Sequence, residues 1–101
     1  MSAEVYRAVA DPHRRQLLDA LRDHGEQSLS TLCDMMPISR QGVTKHLRVL
    51  ESAGLVRVRR HGRERLHRLD SRPLRELADW TATYSLFWNA RLDALESRLE
   101  E

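Results

Sequence analysis

Apolar residues recur at helical spacing through the first part of the chain, and this pattern predicts short helices. A first helix covers residues 5–10. A second begins at Pro12, because Asp11 suits an N-cap and proline suits the first helical position. Gly25 ends it. Its apolar stripe is predicted to face a core, with Arg14, Arg15, Arg22 and Asp23 on the solvent side.

Two further helices follow with very little chain between them. The third is capped by Ser28 or Ser30 and closed by Pro37. The fourth is capped by Ser39 and stops at Gly54, since glycine adopts the left-handed conformation of a helix end at low cost. Two helices joined by so tight a turn form a helix-turn-helix pattern, here over about residues 30–53.

The fourth helix has two different faces. Val43, Leu47 and Leu50 recur at helical spacing and are predicted to face the core. The opposite face combines positive charge with hydrogen-bonding groups and is nearly free of acids: Arg40, Gln41, Thr44, Lys45 and Arg48. Arginine, lysine, glutamine and threonine read base edges in the major groove of DNA, so this face predicts a double-stranded DNA partner. An ordinary solvated helix is the alternative.

After Gly54 the pattern alternates, which predicts a β-hairpin over about residues 55–69 with His61-Gly62 as its turn. A hairpin directly after such a helix is the wing of a winged helix. This wing holds six arginines against one acid, Glu64. Arg60 and Arg63 near the tip are predicted to meet phosphates or enter the minor groove. A basic edge hairpin that only discourages aggregation is the alternative.

A long helix is predicted from about residue 72 to 99, because apolar residues repeat there every three or four positions. It would be roughly 40 Å long, more than a compact domain of this size spans. Trp80, Tyr84, Phe87 and Trp88 put four of the five aromatic residues into this helix. Such a concentration is typical of an interface, although the aromatics could instead seal the core of the monomer.

Composition limits the classes of function. A chain of 101 residues with 41% hydrophobic and 32% charged residues suffices for a single domain and one core. We found no apolar run of membrane-spanning length, no signal peptide pattern and only one cysteine, so we expect a cytoplasmic protein. The net charge of +2 says little by itself. No nucleophile motif, phosphate-binding loop or carboxylate pair indicates an enzyme.

The chain resembles the bacterial ArsR/SmtB-type winged-helix repressors. Three segments carry the resemblance: residues 8–15, residues 39–55 with the stretch 44–50 at their centre, and the wing stretch 59–63. The resemblance implies a mainly α fold with a small β-hairpin, in which the first and last helices form a homodimer. With it, the predicted DNA-binding set becomes Ser39, Arg40, Gln41, Thr44, Lys45, His46, Arg48, Arg59, Arg60 and Arg63. The predicted dimer set is Val5, Tyr6, Val9, Trp80, Tyr84, Phe87, Trp88, Leu92 and Leu95.

Metal-sensing members of that family carry two cysteines spaced C-x-C before the recognition helix. Here Cys33 matches the first position, but Met35 stands at the second. Other members bind zinc through a D-x-H pair with further histidines on the last helix, and this chain has no histidine after His67. We therefore predict no metal site and no cofactor, with Cys33 as a small buried residue.

The sequence thus predicts a homodimeric repressor that binds an inverted-repeat operator in its own or a neighbouring promoter. Two alternatives remain open at this stage. One is a metal- or redox-responsive repressor that uses Cys33, and the other is a winged-helix module that binds a protein through the same helix face. The sequence identifies no small-molecule effector.

Overall fold

The computed structural model describes residues 3–100, apart from the side chains of Asp93, Ser97 and Glu100. Five helices dominate these residues, beside a small antiparallel sheet, as predicted. The elements in chain order are α1 (Ala3–Val9), α2 (Pro12–His24), β1 (Gln27–Ser28), α3 (Leu29–Met35), α4 (Arg40–Ser52), β2 (Val56–His61), β3 (Glu64–Leu69) and α5 (Leu74–Glu100).

The predicted N-caps fix the starts of the helices. Oδ1 of Asp11 accepts hydrogen bonds from the backbone N–H groups of His13 and Arg14, at 2.8 and 3.2 Å. Ser28, rather than Ser30, caps α3 by accepting from the N–H of Thr31 at 3.2 Å. These side chains satisfy N–H groups that have no partner within their own helix.

Helix α4 has a capping motif at each end. Oγ of Ser39 accepts from the N–H of Gly42 at 3.1 Å. At the other end, the N–H of Leu55 donates to the carbonyl of Leu50 and that of Gly54 to Glu51, each at 3.0 Å. Gly54 has φ of +77°, so the helix ends in a Schellman motif, and Leu50 and Leu55 on either side of it are fully buried.

One apolar cluster joins α2, α3 and α4 to the base of the hairpin. Its largest fully buried members are leucines and valines that lie on the inward faces of the helices and strands: Leu17, Leu32, Val43, Leu50, Leu55 and Val56. The predicted core positions Leu47 and Leu21 are also buried. The apolar face of α4 therefore packs against this core, and its polar face is exposed to solvent.

The sheet differs from the prediction in two respects. β1, only two residues long, pairs with β3, so the strand order is β1-β3-β2 and the hairpin gains a third strand. The predicted His61-Gly62 turn is wrong by one residue, because His61 pairs with Glu64 and the loop is Gly62-Arg63. Gly62 takes the positive φ of +64° at the first loop position, where hairpin turns favour glycine.

The long C-terminal helix is confirmed, with its start at Leu74. Its length gives the described chain extents of 62 × 28 × 20 Å, because much of α5 runs beyond the core. Within residues 3–100, we found no helix that is both long and apolar enough to cross a membrane.

Candidate nucleic-acid interface

The outward face of α4 carries the predicted polar residues. Arg40, Gln41, Lys45 and Arg48 are exposed, and Thr44 is half-buried beside the hairpin. Ser39 is exposed, although its hydroxyl already serves as the N-cap acceptor. Since a 3.6-residue period puts Gln41, Lys45 and Arg48 opposite the buried stripe, these side chains project away from the core.

A basic groove lies between the start of α4 and the wing. Arg40 lines one side, and Arg60, Arg63 and Arg65 line the wing side. The antiparallel register brings the wing arginines together, because Arg60 pairs with Arg65. Both side chains lie on the face of the sheet that carries Val58 and His67. The remaining lining residues are Ser28, Leu29, Ser30 and the acid Glu64. Four guanidinium groups and the hydroxyl of Ser30 offer donors suited to an anion, whereas the Ser28 hydroxyl already donates to Oγ1 of Thr31.

Other wing arginines are already paired with acids. Arg59 donates two hydrogen bonds to the Glu26 carboxylate, at 2.7 and 2.9 Å. This pairing keeps the pKa of Glu26 below its usual range, because the carboxylate accepts from the guanidinium. Arg57 donates to Asp70 at 3.2 Å, and Arg72 donates to the same carboxylate at 2.7 Å. The charge of Arg59 is thus paired on the other face of the sheet, and its predicted contact with DNA stays a prediction.

His46 also lies elsewhere than expected. It is half-buried on the flank of α4 that faces α2, where its ring centroid is 5.6 Å from that of His13. Nη1 of Arg14 lies 3.3 Å from its Nδ1. His46 therefore lies between two helices, and its predicted role in binding DNA stays a prediction.

Arg14 is a structural residue that the sequence pattern placed on the solvent side of α2. Its Nε donates to the carbonyl of Ala8 and its Nη2 to the carbonyl of Arg7, each at 2.8 Å. The guanidinium thus donates to two carbonyls at the end of α1 that the helix itself leaves without a partner. It also lies close to His46 on α4. It ties three helices together.

The start of α5 packs on α1 through aromatic rings. Tyr6 meets Trp80 edge to face with centroids 5.8 Å apart, and Trp80 meets Tyr84 in the same way at 5.6 Å. Val9 is half-buried against the core. Val5 is only 3% exposed, because the chain itself covers it. Its predicted place in the dimer contact stays a prediction.

Further along α5 the apolar side chains are uncovered. Phe87, Trp88, Leu92 and Leu95 are between 54% and 70% exposed, and Tyr84 is 44% exposed. A period of 3.6 residues puts Tyr84, Trp88, Leu92, Leu95 and Leu99 on one face, which we call the α5 stripe. Leu86 is also exposed, but it lies on the opposite side of the helix.

Cys33 is partly buried and packs against the core, and Met35 at the C-x-C position is exposed. A different grouping of ligand-type residues arises from the fold. Asp11, His13 and His46 are all half-buried, with one potential ligand atom of each within 4.8 Å of the others. The sequence did not indicate this cluster, because its members come from two helices that lie far apart along the chain.

The chain is similar to known proteins in sequence and in fold. A family model described as a helix-turn-helix domain matches residues 9–59. The HTH-type transcriptional regulator YuzN of Bacillus subtilis (strain 168), described as uncharacterized, is 37% identical over 79 residues, which are 72% of this chain and 86% of that protein. An ArsR-like transcriptional regulator from Rhodococcus sp. RHA1 has a solved structure that is similar with a TM-score of 0.74 and 34% identity, covering 97% of this chain and 89% of that one.

The chain belongs to the ArsR/SmtB family. Another relative is the HTH-type transcriptional repressor SmtB of Mycobacterium tuberculosis (strain CDC 1551 / Oshkosh), which is 35% identical over 68 residues. Those residues are 67% of this chain and 50% of that protein, so the chain spans half of its length. Family membership makes this protein a winged helix-turn-helix, DNA-binding transcriptional regulator and not an enzyme.

Proposed function

We propose that this regulator is a homodimeric repressor that binds an inverted-repeat operator in its own or a neighbouring promoter. The observation that carries the proposal is the outward basic face of α4 beside the arginine-lined groove of the wing. Such a repressor would act in the cytoplasm, where a bacterial operator lies. The proposed DNA contacts are Ser39, Arg40, Gln41, Thr44, Lys45, Arg48, Arg60 and Arg63.

Two kinds of contact follow from the positions of these residues. Gln41, Lys45 and Arg48 stand on the outward face of α4 and would reach base edges in the major groove, where their donors and acceptors discriminate between base pairs. Arg60 and Arg63 line the groove at the wing and would neutralise backbone phosphates. The helix would therefore select the sequence, and the wing would add affinity for any duplex.

The α5 stripe supports the dimer. Trp88, Leu92 and Leu95 are each more than half exposed, and a monomer gains nothing from leaving a row of large apolar side chains in water. A second copy of the same helix offers an equivalent stripe, so a twofold axis would bury both at once. Tyr6 and Trp80 would extend this contact from the α1 side.

A twofold dimer sets the geometry of the operator. One recognition helix and one wing cover only a few base pairs, whereas two related by symmetry read an inverted repeat. We expect half-site centres one DNA turn apart, roughly 34–36 Å, or a multiple of that distance. Selection of duplexes from a random pool tests this arrangement directly. Enrichment of an inverted repeat with that spacing supports the proposal, and a pool that stays random after selection contradicts it.

Two matched variants of α5 test the proposed dimer interface. Leu92→Glu puts a charge into the α5 stripe, whereas Leu86→Glu puts the same charge on the opposite side of the same helix. In sedimentation experiments we expect Leu92→Glu to be monomeric and Leu86→Glu to remain dimeric at micromolar concentration. A dimeric Leu92→Glu variant that still prefers the inverted repeat would refute the assignment of the interface to the stripe.

A further inference from the structure

Three residues with metal-binding side chains converge where the first turn of α2 meets the flank of α4. Asp11 and His13 come from the start of α2, and His46 comes from the middle of α4. One ligand atom of each lies within 4.8 Å of the other two, and all three residues are half-buried. Partial burial limits competition from bulk water and still leaves an entry path for an ion.

The hydrogen bonds of Asp11 leave part of its carboxylate for a further ligand. Oδ1 accepts both N-cap bonds, from the N–H groups of His13 and Arg14, so Oδ2 takes no part in capping. Oδ2 is therefore the carboxylate oxygen that Asp11 can offer to an ion.

We propose that Asp11, His13 and His46 bind one divalent transition-metal ion of the class that accepts imidazole nitrogen, such as Zn²⁺, Co²⁺ or Ni²⁺. Two imidazoles and one carboxylate are a ligand set that such ions use, and three protein ligands leave one coordination position for water. Bonds of about 2.0–2.1 Å put tetrahedral ligand atoms about 3.4 Å apart. Since the ligand atoms lie within 4.8 Å of one another, they need to approach by at most about 1.4 Å, which side-chain rotation supplies.

Arg14 is the group that opposes the ion. Its Nη1 lies 3.3 Å from Nδ1 of His46, so the metal bonds through the other ring nitrogen, Nε2, or displaces this contact. The guanidinium has other support, since it donates to the carbonyls of Ala8 and Arg7 at 2.8 Å each. Arg14 can lose its contact with the His46 imidazole and still be held by these two hydrogen bonds. The negative charge of the Asp11 carboxylate offsets the positive charge of Arg14.

This site lies apart from the positions that the family resemblance suggested for metals. It uses neither Cys33 and Met35 on α3 nor any residue of α5. Its effect would be to cross-link the start of α2 to the recognition helix α4. The proposal does not rest on DNA binding, because binding of the metal itself is the readout.

The test is a titration of the metal-free protein with Co²⁺, followed by visible absorption, with Zn²⁺ as the competitor. We expect one Co²⁺ per chain, displaced by Zn²⁺. His13→Ala and Asp11→Asn should each weaken Co²⁺ binding at least tenfold, because each removes one of three ligands. Asp11→Asn is informative because asparagine caps a helix as well as aspartate does, so the fold is kept while the charged ligand is lost.

The matched control is His24→Ala, which removes an exposed histidine from the other end of α2. We expect its affinity for Co²⁺ to equal that of the wild-type protein. The proposal is overturned if the wild-type protein binds Co²⁺ no better than His13→Ala and Asp11→Asn do. It is also overturned if His24→Ala lowers the affinity as much as these variants, since the ion would then bind surface histidines at large.

Discussion

Arg60 and Arg63 provide the sharpest test of how the wing works. Both line the basic groove beside α4, and neither is among the wing arginines that pair with Glu26 or Asp70. If each neutralises one phosphate, the double variant Arg60→Ala/Arg63→Ala should release two fewer counterions per half-site. At about 0.9 per contact, the slope of log K against log salt then becomes shallower by about 1.8 for each chain bound.

This slope translates into an easily measured affinity ratio. Between about 50 and 200 mM salt, a difference of 1.8 in slope makes the wild-type protein lose about tenfold more affinity than the variant, per half-site. Fluorescence anisotropy titrations at several salt concentrations, on the operator and on random duplex, measure both slopes. The loss should be alike on the two duplexes, because phosphates carry no sequence information.

The control is Glu26→Ala/Arg59→Ala, which removes a paired wing arginine together with its acid and so leaves the net charge unchanged. We expect its slope to match that of the wild-type protein. An unchanged slope in Arg60→Ala/Arg63→Ala would refute the phosphate role of the wing.

Three further predictions concern the recognition helix and its support. Gln41→Ala or Lys45→Ala should cost about 1–3 kcal/mol at particular operator base pairs and little at others, whereas a uniform loss over operator variants would assign the residue to the backbone. Gly54→Ala should lower the free energy of denaturant unfolding by about 1–2 kcal/mol, since φ is +77° there while the added Cβ meets only ordinary contact at 3.6 Å from Pro73; unchanged stability would contradict this reading of the helix end. Burial lowers the pKa of His67 below 6.5, so its contribution to stability is present above about pH 6.5 and lost as pH falls further. The unfolding free energy of the wild-type protein should therefore fall with acidification more steeply than that of His67→Leu, and parallel pH profiles would contradict this.

Local signals explain why so much of the fold followed from the sequence. Asp11, Ser39 and Gly54 each act on backbone groups within a few residues, so their capping roles can be derived from neighbouring positions alone. The wing turn was missed by one residue because His61-Gly62 and Gly62-Arg63 both satisfy the need for glycine, and only strand register distinguishes them. β1 was missed because two residues are too few to show alternation.

Contacts between distant residues explain what the sequence left out. Glu26 and Arg59 are 33 positions apart, and Arg14 and His46 are 32 apart, so no periodicity relates them. His67 is buried, with only 5% of its surface exposed. It lies in a strand rich in arginine, and its polar sequence neighbours did not indicate that it would face the core. Its Nδ1 has no hydrogen-bond partner within the described part of the chain. The proposed metal ligands came together for the same reason, through the packing of α2 against α4.

The stoichiometry of the complex with its operator tests the central claim most directly. The mass of the assembly formed on a duplex that carries the selected inverted repeat can be measured by sedimentation at micromolar protein concentration. We predict two chains per duplex, and a markedly weaker complex on a duplex with only one half-site. A single chain bound per inverted repeat, or a wild-type protein that is monomeric at that concentration, would contradict the account of a dimer that reads DNA through two copies of α4.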